Sequence, residues 1–392
     1  MGGGTGAAPV EVGMDDEWHA SGGGGIGQST GVSTLLSSER HPRPAGSWPR
    51  LTPPRCAWKR HRFFSWPGDR TPGLGYAGES FMFVSYDDAR LSGCGPTTLS
   101  DELEKGNVVY FPRSPVALPA PAELDFLREE MPRQLKRKNV SYYPSADRLV
   151  GVEAPALAER THRLLREHSG RVVEFLTRAM PDFVKGWTVG TSSFRPLQER
   201  GRNLSAHASN ELVHVDAGAY GATHGDRILR FFINVHPTED RVWATRGTFA
   251  EVYRRHGAAA GITPGSEGRS LRPGLANRMY SGLLRGAERL GARRAGMIDT
   301  SPYDRLMRQF HNYMKDTPAF IQGRDGYEEF SFPSFSAWMV LTDTVSHACL
   351  SGQFAFVDTF LIRLASCKRP EISPYQLLQR SPEPEPMRSA AA

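Results

Sequence analysis

His214-Val215-Asp216 is the string in this 392-residue chain whose residue types and spacing carry the most chemistry. In an extended strand, residues i and i+2 project from the same face, so the imidazole and the carboxylate would converge. Two histidines and one carboxylate on a single face form the facial triad that holds non-heme Fe(II) and leaves positions open. The third ligand is expected from a distant strand that returns beside the first. His347, 133 residues further on, sits in that setting, between the apolar run Trp338–Thr342 and a second strand-like run from Gln353. His61, His162, His168 and His311 fall in the N-terminal stretch or in helical segments. His207, His224 and His236 fall in loops near the first strand, where hydrogen-bonded or solvated roles are expected.

An oxygenase built on such a centre needs a cation for the distal carboxylate of 2-oxoglutarate. Ile228–Val235 is an apolar strand with one charged residue inside it, Arg230. By alternation Arg230, Phe232 and Asn234 share one face, and Leu229, Phe231, Ile233 and Val235 the other. A buried guanidinium is costly unless an anion meets it, and its fork matches a carboxylate with two parallel hydrogen bonds. The other reading of Arg230 is an edge strand with the side chain in water. Arg241 and Arg363 are further cosubstrate candidates, and Asn234 joins the set by sharing the Arg230 face.

These groups need a scaffold. Hydrophobic residues make up 39% of the chain, enough for a sizeable core and too many for a wholly disordered protein. The 48 Lys and Arg against 42 Asp and Glu leave a mildly basic +6, compatible with an acidic substrate or an anionic surface. The four cysteines form no Cys-x-x-Cys pair, which argues against a zinc knuckle or a disulfide scaffold and for a reducing compartment. No run approaches 18 apolar residues, and Met1–Ala8 lacks the pattern of a secretory signal.

Residues 1–75 are Gly-, Ser- and Pro-rich without apolar period and are expected to be a disordered extension. Residues 371–392 are expected to be a loose tail, with the folded domain over 76–370. Within it, Ala156–Met180 reads as one helix with a break at Gly170, and Leu103–Phe111 as a helix end, a glycine stop and a strand. Strands are predicted over Trp187–Phe194, Leu212–Val215, Ile228–Val235, Arg241–Thr245, Ser336–Thr342 and Gln353–Arg363, with a helical insertion that includes Tyr303–Met314. The pattern is mixed α+β. Nucleotide-binding glycine loops are missing from the sequence.

The strings Ser193-Phe194-Arg195-Pro196, Gly201-Arg202, His214-Val215-Asp216-Ala217 and Gly225-Asp226-Arg227-Ile228-Leu229-Arg230 resemble the Kdo hydroxylase family. So do Asn234-Val235, Arg241-Val242-Trp243, Thr342-Asp343, Ser346-His347-Ala348 and Gly352-Gln353. The likeness runs from about Leu103 to Leu361. It implies a double-stranded β-helix (jelly-roll, cupin-like) core with flanking helices. It also implies a dioxygenase that uses Fe(II), 2-oxoglutarate and O₂, with ascorbate in assays. The reaction would hydroxylate C3 of 3-deoxy-D-manno-oct-2-ulosonic acid (Kdo) in the lipid A inner core, giving Ko. By resemblance His214, Asp216 and His347 are the iron ligands. Arg195 and Arg202 would meet the substrate's carboxylate or a phosphate, and Arg227 and Tyr303 would line the mouth.

The partner is then a Kdo-lipid A glycolipid, with no nucleic acid and no obligate protein. The expected location is cytoplasmic, at the inner face of the inner membrane, helped by the basic clusters Arg133–Lys138, Arg254-Arg255 and Arg293-Arg294. The chain departs from the family pattern at Gly218–His224, at Ala244–Gly247 and in the Gly-, Ala- and Arg-rich insert Gly257–Arg294. Two rival readings remain at this level: the same chemistry on another substrate such as a protein side chain, and a cupin-like binding module without turnover.

Overall fold

The structure, a computed structural model, describes residues 83–135, 139–218, 221–262, 271, 274–289 and 299–380. The expected N-terminal extension, most of the C-terminal tail, and the basic residues Lys136–Lys138 and Arg293-Arg294 lie outside the described residues.

The first part alternates short elements: β1 (Phe83–Ser85), α1 (Asp88–Ser92), α2 (Thr98–Glu104), β2 (Val108–Phe111), α3 (Pro121–Glu129), α4 (Met131–Gln134), β3 (Val140–Tyr143) and β4 (Arg148–Val150). The long α5 (Pro155–Ala179) then leads to β5 (Thr188–Arg195), β6 (Arg227–Asn234) and β7 (Arg241–Thr245). Four helices follow: α6 (Phe249–His256), α7 (Leu275–Arg289), α8 (Pro302–Asp316) and α9 (Pro318–Gln322). The chain returns through β8 (Glu328–Phe332), β9 (Ala337–Leu341), β10 (Ala348–Ser351) and β11 (Ala355–Ile362), and α10 (Pro374–Gln379) follows.

The strands form two sheets. One has eight strands in the order β1-β2-β9-β6-β11-β5-β3-β4, and the other three in the order β10-β7-β8. Strand β6 is internal, antiparallel to both β9 and β11, with Arg230 opposite Val340 and Thr359. Both of its faces are covered, so it reads as a nearly continuous apolar run rather than a clean alternation. Leu229, Phe231, Ile233 and Val235 enter the core shared with α5, where the Phe231 and Phe175 rings lie 5.9 Å apart. Phe232 turns the other way and stacks on Trp338 at 5.1 Å, with Trp243 of the small sheet 4.9 Å away edge-on. The edge-strand reading of Arg230 is thereby excluded.

Helix α5 holds its 3.6-residue stripe through Leu165, Val172 and Leu176, all fully buried. Each such burial stabilises by roughly 1.5–3 kcal/mol. Gly170 does not break the helix, because it lies on the exposed side where an added Cβ would meet nothing within 4 Å.

Three expectations are corrected. Leu212–Val215 is not a strand: it makes a single bridge, between His214 and His347. Residues 371–380, expected to be loose, hold α10 (Pro374–Gln379), where Leu378 packs against the helical insertion. The stretch ahead of α5, expected to hold only the helix end and strand of Leu103–Phe111, also supplies β1, β3 and β4. These strands have only three or four residues, too few to show a period. None of the described helices is long and apolar enough to cross a membrane.

Candidate metal centre and its arginine cluster

His214 and His347 face each other through reciprocal backbone hydrogen bonds of 3.0 and 2.8 Å, with ring centroids 4.6 Å apart. Each Nδ1 contacts the carbonyl two residues back in its own chain, Leu212 at 2.8 Å and Val345 at 3.0 Å. A carbonyl only accepts, so both Nδ1 atoms carry the proton and both Nε2 lone pairs are left for a ligand role. The Asp216 amide donates to the Thr342 carbonyl at 2.9 Å, which brings its carboxylate to the same point. One donor atom from each of the three residues lies within 4.8 Å of the others.

The electrostatics suit a cation. Burial drives the His214 pKa well below its ordinary value, aided by Lys315, His347 and His311. Burial also lowers His347, against the opposing pull of Asp216. Both rings are therefore neutral near pH 7, as a metal requires. Burial pushes Asp216 up, but Arg230, His347 and the Thr342 hydroxyl more than offset it and hold it at about 2. Arg230 Nε lies 2.8 Å from Asp216 Oδ2, while Oδ1 faces His214 Nε2 at 3.8 Å. One carboxylate oxygen is thus pinned and the other is presented to the histidines.

The segment carrying His214 and Asp216 has no strand ladder to hold it, and α8 does that work instead. Its N-terminus is a capping box, with the Ser301 hydroxyl accepting from the Asp304 amide and Asp304 accepting from the Ser301 amide. Asp304 Oδ1 also accepts from the Thr223 amide and hydroxyl, both at 2.8 Å. Further along the helix, His311 Nδ1 donates to the carbonyl of Val215, between the two candidate ligands, at 2.7 Å. The His311 ring lies 5.0 Å from that of His214. Lys315 Nζ donates to the His207 and Ser209 carbonyls, each at 2.9 Å. His311 and Lys315 were missed in the sequence because a helical histidine and lysine carry no signal of what they touch. Their i, i+4 spacing is the one available hint.

Beside the centre, three arginines share one carboxylate. Glu199, almost fully buried, faces Arg241 Nη2 at 3.1 Å, Arg195 Nη1 at 3.5 Å and Arg202 Nη1 at 3.4 Å. Burial lowers the Arg195 pKa, and Arg230 and Arg241 depress it further against the pull of Glu199. Arg241 is nearly inaccessible, and its Nε and Nη1 have no hydrogen-bond partner among the described residues. Gly352 makes room for it: with φ at +143°, a Cβ there would sit 2.5 Å from Arg241 Cγ. Trp243, two residues along β7, stacks on His347 at 5.3 Å. A buried excess of guanidinium over carboxylate is stable only with an anion to complete it.

Four expected site residues lie elsewhere. Asn234 spends its amide on the Glu239 and Phe332 carbonyls and its Oδ1 on the His236 amide, about 13 Å along the strand from Arg230. Arg363 is exposed and pairs with Asp226 at 3.2 Å. Arg227 is fully buried against Asp343 at 2.6 Å and the Thr344 hydroxyl, so it braces β6 rather than lining a mouth. Tyr303 is buried in the helical core, 5.3 Å from the Tyr375 ring. Glu199 gave no signal in the sequence beyond being an acid in the arginine-rich stretch Arg195–Arg202.

The family model described as 3-deoxy-D-manno-oct-2-ulosonic acid (Kdo) hydroxylase matches residues 94–383. Among solved structures, the chain is similar to the apo form of the Kdo hydroxylase KdoO, a non-heme Fe(II) alphaketoglutarate dependent dioxygenase. The two are 28% identical over 76% of this chain and 94% of that one, with a TM-score of 0.62. The same values hold for KdoO in complex with alphaketoglutarate and Fe(III). The cobalt(II) complex matches at 28% identity over the same shares of the two chains, with a TM-score of 0.61. None of the curated proteins matches.

Proposed function

The chain belongs to the Kdo hydroxylase family, and from that premise we propose that it hydroxylates C3 of Kdo on a lipid A-type glycolipid, giving Ko. The reaction consumes 2-oxoglutarate and O₂ and yields succinate and CO₂, one oxygen atom entering succinate and the other the new hydroxyl. The observation that carries this reading is the cluster of His214, Asp216 and His347 donor atoms within 4.8 Å. The eight-stranded and three-stranded sheets, with the isolated His214–His347 bridge outside both, support a double-stranded β-helix as the scaffold.

The residues present fit Fe(II): two neutral imidazole Nε2 atoms, one ionised carboxylate oxygen, and an outer oxygen already held by Arg230. Iron, when bound, would supply O₂ activation and cleavage of the sugar C–H bond. The chain supplies position. Backbone bonds fix both ring tautomers, and α8 holds the turn between the ligands. Arg241, with Arg195 beside it, offers unpaired donors for the distal carboxylate of 2-oxoglutarate. This role passes from Arg230, whose charge is committed to Asp216. Arg202 is the more accessible of the pair with Arg241 and is left for the anionic sugar. Trp243, stacked on His347 and packed against Phe232 and Trp338, backs the site with buried aromatic surface that excludes water.

The test is mass spectrometry of a Kdo glycolipid after incubation with enzyme, Fe(II), 2-oxoglutarate and ascorbate. We expect a gain of one oxygen on Kdo with stoichiometric succinate. His347→Ala should abolish both along with Fe(II) binding, since a facial triad has no spare protein ligand. Wild-type succinate formation in that variant would remove His347 from the centre.

A further inference from the structure

Helix α7 presents Leu275, Met279 and Leu283 to solvent at 77%, 65% and 72% exposure, with Tyr280 beside them at 45%. The first three recur every four residues and so form one stripe along the helix. The opposite side is the anchored one. Ser281 is buried and donates to Asp299 Oδ1 at 2.6 Å, and Asp299 Oδ2 lies 3.6 Å from His224 Nε2. His224 follows Thr223, whose amide and hydroxyl are held by Asp304 at the start of α8. The helix is therefore tied to the loop that leaves Asp216, with its apolar side turned outward.

Large apolar side chains in a contiguous exposed stripe mark an interaction surface. Charge identifies what covers it. Residues 263–298 of the sequence hold seven arginines against two glutamates, so five of the chain's six net positive charges fall in this stretch. Arg278 is exposed on α7 itself. A helix with apolar residues on one side and arginine on its flank lies in the plane of a bilayer, its apolar face at the acyl boundary and its cations on anionic headgroups.

We propose that the exposed face of α7 is the membrane-docking element of this enzyme, inserting Leu275, Met279 and Leu283 into a bilayer of anionic phospholipid. The proposal rests on the glycolipid reading above. It adds that attachment is hydrophobic as well as electrostatic, and that it occurs at the helix linked to the metal-carrying loop.

The test is flotation of the full chain with vesicles of phosphatidylglycerol and phosphatidylethanolamine that contain no Kdo. Wild type should float, and part of the binding should survive 0.5 M salt, where headgroup attraction is screened within about 4–5 Å. L275Q/M279Q/L283Q should keep the wild-type melting temperature, because its positions are exposed, and lose vesicle affinity at least about tenfold. Arg278→Gln should lower affinity at low salt only. Equal flotation of the triple variant and wild type would overturn the proposal, as would complete release of wild type by salt or no flotation at all. A concentration-dependent dimer abolished by the triple variant would overturn it in favour of a second copy as the occupant. Hydroxylation of a Kdo glycolipid is scored separately, so failure of docking and failure of the activity are distinct results.

Discussion

Arg227 and Arg241 begin alike. Each is the first residue of its strand, and each is buried to about 1% exposure. Their surroundings differ in the number of carboxylates. Arg227 has Asp343 to itself and adds the Thr344 hydroxyl, so the pair is neutral. Burial lowers its pKa but Asp343 more than offsets this, and the net shift is upward. Arg241 shares Glu199 with Arg195 and Arg202, and two of its nitrogens are left without partners, against Nη1 alone in Arg227. Burial alone therefore does not mark a binding arginine. A buried guanidinium matched one to one is structural, while a buried excess marks a place where the fold leaves charge for a ligand.

The largest test of that contrast is Arg227→Met. It leaves Asp343 as an uncompensated buried acid and should destabilise the fold by about 3–5 kcal/mol. Chemical denaturation measures it, and R227M/D343L should recover most of the loss. The 2-oxoglutarate affinity of the folded fraction should stay at the wild-type level.

Arg241→Met should do the reverse. Glu199 keeps Arg195 and Arg202, so stability changes little, while cosubstrate binding weakens by about 2–5 kcal/mol. Calorimetric titration of 2-oxoglutarate reads this directly. An unchanged dissociation constant would return the role to Arg230.

The smallest expected effect is on Glu199. Glu199→Gln removes the charge but keeps an oxygen that accepts from the guanidinium groups, at a cost of about 1–3 kcal/mol. Burial raises the Glu199 pKa, but Arg241 and Arg195 more than offset it, so its folded value lies below 4.5. Its contribution is then complete above that value and is lost as the pH falls through the folded pKa. The stability gap between wild type and variant should be constant from pH 7 to 5 and close at lower pH. A gap that widened in acid would contradict the shared-anion arrangement.

Much of the centre was legible in the chain. The i, i+2 spacing of His214 and Asp216 and the position of His347 after an apolar run pointed to one metal site. The convergence does not come from strand geometry, however. No strand carries the pair; a single bridge and the brace of α8 bring the groups together. The arginines were visible, but not their roles. Asp343 lies 116 residues from Arg227, and Glu199 lies 42 from Arg241. No local pattern reports such pairings.

The sequence by itself determined the elements whose signals are local. The helix stripe of α5, the apolar strand of β6 and the candidate ligand types at 214, 216 and 347 all follow from periodicity and side-chain chemistry over a few residues. Only the tertiary structure decided which cations are neutralised and which are left over, and which helix steadies the turn that carries His214 and Asp216. It also decided that the apolar stripe of α7 faces outward. These depend on contacts between residues tens to hundreds of positions apart, and the free energy of a buried charge is set by whichever group arrives beside it.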